Sequence, residues 1–221
     1  MRSSRERERR PGAIGRREAV GRTAGLTLLT TLAACGVLPR YNEPVDLYTL
    51  TPKTTFPESL PRVDWQLVVE TPVTAASFDT PRIALQRTPL TFEYYANAAW
   101  TDNAPAMVQT LLIESFESTR KIGAVGREAI GLRPDYVLKT DLREFEAVYD
   151  GANPAPTIWV RMNAKLVRMP ERRIVASETR EAKVPAGGGK ITDIVAAFDD
   201  ALGRVLKEIV AFTLTTLSRT S

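Results

Sequence analysis

Hydrophobic positions change their spacing along this chain of 221 residues, and each spacing predicts a different element. Residues 157–168 alternate between apolar side chains such as Ile158 and Val160 and more polar ones, which is the period of a strand with one buried face. After a run of three glycines at 187–189, apolar residues recur every three or four positions from about 191 to 217, which is the period of an amphipathic helix. The chain therefore combines strands and helices.

The same reasoning predicts the remaining elements. A hairpin is expected because strand-like runs at 82–87 and 91–97 are separated only by Thr88-Pro89-Leu90. A helix is expected after residues 101–103, which are good N-cap types and are followed by a proline suited to the first turn. Its apolar positions, with Ile122 as the last, extend it to about residue 121. Further strands are predicted at 65–70, 136–149 and 173–184.

The order of these elements predicts the fold class. Three consecutive strands near the C-terminus are joined by short links, so antiparallel pairing is their simplest arrangement. Each helix has an apolar stripe that must be buried against another element. Charges deep in the last helix, such as Asp199 and Asp200, exclude a membrane span there. We predict one α+β domain with a mainly antiparallel sheet and two amphipathic helices packed on one face.

The first 34 residues predict a bacterial lipoprotein signal peptide. Eight of them are arginines, and the apolar run that follows at 23–34 has 12 residues, well short of the roughly 20 that span a bilayer. A basic region, a short apolar run and small residues at its end are typical of a secretory signal. The run ends in Leu32-Ala33-Ala34-Cys35, which resembles a lipobox. We predict cleavage before Cys35 and acylation of its thiol and new amino group; a chance match is the alternative.

The residue after the cysteine predicts where the lipoprotein is delivered. In well-studied bacteria an aspartate at this position retains a lipoprotein in the inner membrane. Gly36 therefore favours the outer membrane, with the folded domain facing the periplasm. The export route stays open, because Arg16-Arg17 faintly resembles a twin-arginine signal. The leader is also longer and richer in arginine than usual, so a start later than Met1 is an alternative.

Residues 35–62 predict a tether. Five prolines lie between 36 and 62, and proline at this density excludes a continuous helix or a central strand. One short strand is expected within the tether at 45–50. We therefore divide the chain into a signal peptide at 1–34, a lipidated cysteine and Pro-rich tether at 35–62, and an α+β periplasmic domain at 63–221.

Composition excludes several classes of function. The net charge of +4 resides in the leader, since residues 1–34 carry +5 and the remainder carries −1. The mature domain therefore lacks the basic footprint of a nucleic-acid-binding protein. Histidine is absent, which removes the commonest general base and transition-metal ligand. The single cysteine excludes an intrachain disulfide. We predict no catalytic residue, no metal site and no cofactor.

Two motifs resemble catalytic or phosphate-binding sites but have simpler interpretations. Gly187-Gly188-Gly189-Lys190 fails the phosphate-loop pattern, because Val184 replaces its first glycine and Ile191 replaces its Ser or Thr. A strand-to-helix loop is the simpler interpretation. Glu144 and Glu146 would share one face of a strand and mimic a paired-carboxylate site. A solvated sheet face explains this pair equally well.

Three aromatic residues near the predicted hairpin are the remaining candidates for function. Tyr94 and Tyr95 lie on its second strand, and Trp100 lies at the start of the following helix. Core packing is the simpler interpretation. Contact with a partner is the functional alternative, because aromatic residues are enriched in binding hot spots.

Taken together, these segments resemble a known family. The lipobox, the amphipathic helix opened by Trp100 and the alanine-rich last helix are similar to those of the ABC-type transport auxiliary lipoproteins. These are the lipoprotein partners of MCE-type lipid transport systems, including the one in the paraquat-inducible system. The resemblance covers most of residues 45–217. The residues that carry it are Arg82-Ile83-Ala84, Tyr94-Tyr95-Ala96-Asn97, Asp141-Leu142-Arg143-Glu144-Phe145-Glu146, Phe198, Ala201 and Leu202.

The resemblance implies a non-enzymatic accessory protein. Its expected partners are an MCE-type periplasmic protein and the ABC permease and ATPase that move phospholipid or other hydrophobic cargo between the membranes. It also implies that the lipoprotein can form a homo-oligomer around the MCE assembly. One alternative is a lipoprotein of envelope assembly, such as a synthase activator or a secretin pilot, which co-purification would distinguish. Another is a lipid-processing enzyme, which a buried cluster of ionisable groups in a cleft would support.

Overall fold

A computed structural model describes residues 44–128, 133–151 and 153–218, which fall within one compact unit. The predicted signal peptide and the lipidation, lipobox and sorting residues Cys35, Leu32, Ala33, Ala34 and Gly36 lie outside the described residues.

Nine strands and two helices form the described part of the chain, and all nine strands belong to one sheet. The strands are β1 (Asp46–Tyr48), β2 (Val63–Val69), β3 (Val73–Thr74), β4 (Arg82–Gln86), β5 (Glu93–Trp100), β6 (Ile122–Gly126), β7 (Tyr136–Val148), β8 (Thr157–Arg168) and β9 (Arg173–Pro185); the helices are α1 (Ala104–Thr119) and α2 (Ile191–Ser218).

The long strand β7 organises the sheet. On one side it pairs with β8 along its length, and β8 pairs with β9, both antiparallel. On the other side β2, β3 and β4 pair with successive parts of β7, all parallel to it. Strands β2, β3 and β4 therefore lie in succession along β7, in the position of a single long strand. Beyond them β6 lies parallel to β2, β5 lies antiparallel to β4, and β1 lies parallel to β5.

The predicted single α+β domain with two helices is confirmed, and the longest strand pairings, β7 with β8 and β8 with β9, are antiparallel as expected. The sheet is mixed, because β2, β3 and β4 run parallel to β7. Strand β6 was not predicted, since Ile122 was assigned to the preceding helix. That helix ends where Arg120 adopts a left-handed conformation, with φ of 56°. Gly123 then allows β6 to approach β2 closely, because a Cβ there would lie 2.9 Å from the Asp64 carbonyl oxygen.

Both helices contribute to one apolar core on one face of the sheet. Helix α2 contacts β8 and β9, while α1 contacts β2, β6 and α2. Three aromatic rings from three different elements meet in this core. Trp100 at the end of β5 lies 5.7 Å from Phe145 on β7 and 5.2 Å from Phe198 on α2, between ring centroids. The core therefore links the hairpin, the central strand and the last helix.

The described part of the Pro-rich segment packs on the domain. We call residues 50–62 the strap. Leu50 is buried in the core. The Thr51 backbone N–H and hydroxyl both donate to Asp199 on α2, at 2.6 and 2.9 Å, and the Lys53 N–H donates to Ser115 Oγ on α1 at 2.9 Å. The strap is thus fastened to both helices, and the folded part of the chain begins before residue 63.

Asp199→Ala is expected to loosen the strap without unfolding the domain. It removes the acceptor of both Thr51 hydrogen bonds, which are exposed, so we expect a loss of about 1 kcal/mol. Hydrogen exchange at the strap amides should accelerate, while exchange in β7 and β8 stays slow.

The matched control is Asp200→Ala at the next position of α2. Asp200 forms its hydrogen-bonded ion pair with Arg204 of its own helix, at 2.7 Å, and interacts with the strap through the charge of Lys53. An exposed ion pair of this kind contributes little to stability. Strap exchange should therefore change much less in this variant than in Asp199→Ala. Equal acceleration in both variants would contradict the assigned role of Asp199.

Candidate docking face

The sheet has a second face, opposite the helices, which we call the outer face. On β8 the core residues Ile158, Val160 and Met162 alternate with Trp159 and Arg161. Because successive side chains of a strand point to opposite faces, Trp159 and Arg161 belong to the outer face. The same alternation places Lys183 of β9 there, between Ala182 and Val184.

An apolar depression, which we call the valine groove, lies at one end of the outer face. Val68, Val137 and Val167 come from three adjacent strands and form a small cluster separate from the main core. The groove has a volume of about 490 Å³. Ile174 at its margin has 56% of its surface exposed. Its polar rim includes Glu70 and Lys139, whose side chains form an ion pair at 2.6 Å.

A second depression, which we call the aromatic pocket, lies at the other end of the face. It has a volume of about 530 Å³. A cationic side-chain group lies over each of the two aromatic rings that line this pocket. The Lys183 ammonium lies 4.2 Å from the Trp159 ring centroid, and the Arg87 guanidinium lies 4.7 Å from that of Tyr149. This pocket is not predictable from the sequence, because its side chains come from β4, β7, β8 and β9 or the residues that follow them and meet only in the folded sheet.

The turn between β4 and β5 borders the aromatic pocket and exposes a leucine. Thr88 and Pro89 line the pocket, and the Leu90 side chain is 97% exposed. The Thr91 N–H donates to the Thr88 carbonyl at 3.1 Å, and the two threonine hydroxyls are hydrogen-bonded at 2.8 Å. The turn is therefore held closed while it presents Leu90 to its surroundings. The sequence signal for this feature is an apolar residue, Leu90, in the short turn that joins the two predicted strands of the hairpin.

Glu144 and Glu146 share the outer face, as their spacing predicted, but their environments differ. Glu144 lies 3.9 Å from the Arg161 guanidinium. Glu146 is only 3% exposed, and the strand positions opposite it hold Ala84 and Trp159, neither of which is a cation. Burial, reinforced by the charge of Glu144, raises the pKa of Glu146 to about 7. Burial also raises the pKa of Glu144, against the opposing effect of Arg161.

Glu146→Gln is expected to stabilise the domain at neutral and alkaline pH. Because the pKa of Glu146 is higher in the folded chain, at about 7, than the usual 4.5, the folded state favours the protonated form. That favourable contribution is complete below pH 4.5 and is lost as the pH rises to 7. Glutamine mimics the protonated side chain, so the variant should gain about 1–3 kcal/mol above pH 7.5 and nothing below pH 4.5. Urea unfolding across this pH range measures the difference.

Glu144→Gln provides the control for this titration. Its carboxylate faces Arg161, so neutralisation removes a favourable contact as well as a buried charge, and the net change should be smaller. If Glu146→Gln and the unmodified protein had the same free energy of unfolding at every pH, Glu146 could not be a buried carboxylate without a neighbouring cation.

The three predicted aromatic residues have different positions. Trp100 is 1% exposed and lies in the core. Tyr94 is half-buried beneath the Arg82 guanidinium, 3.6 Å from its ring centroid, and its hydroxyl donates to the Ser77 carbonyl. The Tyr95 hydroxyl is hydrogen-bonded to that of Tyr149 at 2.9 Å. Burial and this hydrogen bond raise the pKa of Tyr95.

The glycine-rich segment forms the loop between β9 and α2. Gly189 passes so close to the neighbouring loop that a Cβ would lie 2.9 Å from the Pro154 carbonyl oxygen. Close backbone approach therefore explains this glycine. Among the residues that the structure describes, no three His, Cys, Asp or Glu side chains are grouped to hold a metal ion. Within the same residues, neither helix is long and apolar enough to cross a bilayer.

Known proteins match both the sequence and the fold of this chain. A family model described as the ABC-type transport auxiliary lipoprotein component matches residues 48–210. An uncharacterized protein of Bradyrhizobium diazoefficiens is 31% identical over 120 residues, which is 54% of this chain and 32% of that protein. The chain thus matches about one third of that relative's length.

Two crystal structures resemble the described fold. Protein XCC0632 of Xanthomonas campestris, assigned to family DUF330, is 35% identical, with a TM-score of 0.76 over 80% of this chain and 98% of its own. An uncharacterized protein is 14% identical, with a TM-score of 0.55 over 80% of this chain and 99% of its own. The second similarity extends to the fold alone.

Proposed function

The chain belongs to the ABC-type transport auxiliary lipoprotein family, and on that basis we propose that it is the non-catalytic lipoprotein of an MCE-type transport system. In this role it serves an ABC permease and ATPase that move phospholipid or other hydrophobic cargo between the inner and outer membranes. Acyl chains on Cys35 hold it in the outer membrane, and its folded domain faces the periplasm. Its contribution is to dock the MCE-type periplasmic protein.

The open outer face of the sheet is the observation that supports a docking role. Both helices pack on the opposite face, so neither helix of the described residues covers the outer face. The valine groove supplies an apolar centre with a polar rim, which is the usual anatomy of a protein interface. Ile174 at its margin is exposed enough to enter a partner's surface. We propose this groove as the contact with the MCE-type protein.

Affinity purification from detergent-solubilised membranes tests the proposal. We expect the MCE-type protein, the permease and the ATPase to co-purify with the lipoprotein. Ile174→Asp places a charge on the exposed apolar residue at the margin of the groove and should reduce recovery of the MCE-type protein about tenfold or more. The control is Thr55→Asp, an exposed position on the strap, which should leave recovery unchanged.

Two outcomes would contradict the proposal. Recovery of a cell-wall synthase or a secretin, with no MCE component, would favour a lipoprotein of envelope assembly instead. Recovery of MCE components that is equal for both variants would keep the transport role and remove the valine groove from the interface. The mass of the isolated complex also tests whether several copies of the chain assemble around the MCE-type protein.

A further inference from the structure

The turn at residues 88–91 places an aliphatic side chain where it has no structural use. Leu90 is 97% exposed and contributes nothing to the core, yet the turn that carries it is fixed by the Thr88 and Thr91 hydrogen bonds. A fixed and fully solvated leucine gains free energy when it enters an apolar medium, because its surface leaves water. The turn therefore presents Leu90 to the surroundings of the domain in a fixed backbone conformation.

The side chains behind the turn are those that favour a membrane–water interface. Trp159 and Tyr149 line the adjacent aromatic pocket, and amphipathic rings of these types concentrate at the level of lipid headgroups. Lys183 and Arg87 lie over those rings. Long cationic side chains in this position can lay their stems along an apolar surface while their charges stay in water. With Leu90 at the tip of the turn and the aromatic rings behind it, the aliphatic side chain would lie deepest in the bilayer and the amphipathic rings at the level of the headgroups.

The path of the chain brings this turn toward the proposed anchor. Strand β1 runs parallel to β5, with Asp46 opposite Ala98, so the chain approaches β1 from the end of β5 nearest the turn. Ala98 follows Leu90 by eight positions, six of them in β5 from Glu93 to Ala98, so the two residues lie at most about 27 Å apart along the strand direction. Eleven residues separate Cys35 from Asp46 and reach at most about 38 Å. A lipid on Cys35 can therefore lie level with Leu90, but not far beyond it.

We propose that the turn at 88–91 inserts Leu90 into the bilayer that holds the Cys35 lipid, and so orients the domain on its membrane. This inference rests on the lipidation in the proposed function. With the turn on the membrane, the valine groove lies at the distant end of β7, about 40 Å away for a strand of this length. The groove then faces into the periplasm, where a partner that spans the space could reach it.

The charged side chains at the turn end of the domain indicate which lipid headgroup charge favours insertion. Arg87, Lys183 and Lys190 are balanced by Glu93, Asp150 and Asp193. A balanced set gives little attraction to a strongly anionic surface. The apolar contact of Leu90 then supplies most of the free energy of insertion. Insertion should therefore occur on membranes rich in zwitterionic phosphatidylethanolamine and depend weakly on salt.

Site-specific fluorescence on the lipidated protein tests this orientation. Since the chain has one cysteine and the anchor occupies it, Pro89→Cys introduces a single free thiol for an environment-sensitive dye at an exposed position of the turn while Leu90 stays in place. The control is Glu171→Cys, an exposed residue in the β8–β9 turn at the opposite end of the sheet. Both proteins are reconstituted in phosphatidylethanolamine vesicles that contain a minor fraction of phosphatidylglycerol and a lipid spin-labelled near its headgroup.

The expected result is a blue shift at position 89 and none at position 171. Because interfacial side chains lie about 5–10 Å into the headgroup boundary, spin-labelled lipid should quench the emission from position 89 strongly and that from position 171 very little. Water-like emission at position 89 would overturn the proposal, as would equal quenching at both positions. A blue shift without quenching by the spin label would also overturn it, because the turn would then be in contact with protein. Intact mass of the same sample reports the lipid separately, so a missing anchor is distinguishable from a turn that fails to insert.

Discussion

Trp100→Ala is expected to destabilise the domain by about 3–5 kcal/mol, the usual cost of removing a large aromatic side chain from a packed core. Trp100 is 1% exposed and its ring contacts both Phe145 and Phe198. Truncation would leave a cavity where the hairpin, the central strand and the last helix meet. Urea unfolding followed by circular dichroism measures the loss, and the thermal midpoint should fall by roughly 10 °C or more.

Trp159→Ala removes the same side chain from the outer face and serves as the control. Trp159 is half-buried and contacts Lys183 across the sheet, so its loss should cost clearly less, about 1 kcal/mol. Similar costs for the two variants would contradict the placement of Trp100 in the core. A Trp100→Ala protein of undiminished stability that no longer bound its partner would instead favour a contact role for this residue.

Cys35→Ser is expected to abolish lipid attachment completely. Transfer of a diacylglyceryl group requires the thiol as nucleophile, and a serine hydroxyl is a far weaker one at neutral pH. Without acyl chains, each of which contributes about 0.8 kcal/mol per buried methylene, the domain has no stable anchor. Cells grown with labelled palmitate should show no labelled protein, and the variant should remain as an uncleaved precursor or in the soluble fraction.

Gly36→Asp separates lipidation from sorting. It leaves the cysteine in place, so palmitate labelling should persist, but the protein should move from the outer-membrane to the inner-membrane fraction. Undiminished labelling of Cys35→Ser would defeat the predicted lipobox. Unchanged fractionation of Gly36→Asp would remove Gly36 as the sorting residue while leaving the anchor intact.

Elements with a long and regular pattern were predictable from the sequence. The alternation at 157–168 gave the observed bounds of β8, and the helical spacing after the glycines gave α2 to within a residue. Pairing was not predictable in the same way. Strands β2, β3 and β4 are short and apolar, and nothing in their own residues shows that they lie in succession along β7. Their parallel arrangement depends on contacts between distant parts of the chain.

Local competition explains the missed strand. Ile122 continues the apolar spacing of α1, but the left-handed conformation of Arg120 ends the helix first and leaves Ile122 to begin β6. Prolines in the strap exclude regular structure, which is why the sequence predicts a tether there. They do not exclude packing, and Leu50 is buried while Thr51 bonds to Asp199.

The candidate sites could not be predicted from the spacing of hydrophobic residues, because they depend on which strands are neighbours in the sheet. Spacing placed Glu144 and Glu146 on the same face, but the burial of Glu146 comes from Ala84 and Trp159 on neighbouring strands. The aromatic pocket likewise joins Arg87 to Tyr149 and Lys183 to Trp159, residues far apart in the chain. Leu90 does carry a signal in the sequence, since an aliphatic residue in a predicted turn is not expected to reach the hydrophobic core.

The parallel pairing of β1 with β5 determines how the domain would respond to a pull on the chain that precedes β1. A pull on the N-terminal chain acts along β1, so its pairs with β5, from Asp46 to Tyr48, are loaded together in shear and cannot open one at a time. The Thr51 and Lys53 hydrogen bonds to the helices lie directly behind them and share the force. Mechanical strain would thus be spread over the sheet edge and both helices before it reached the core.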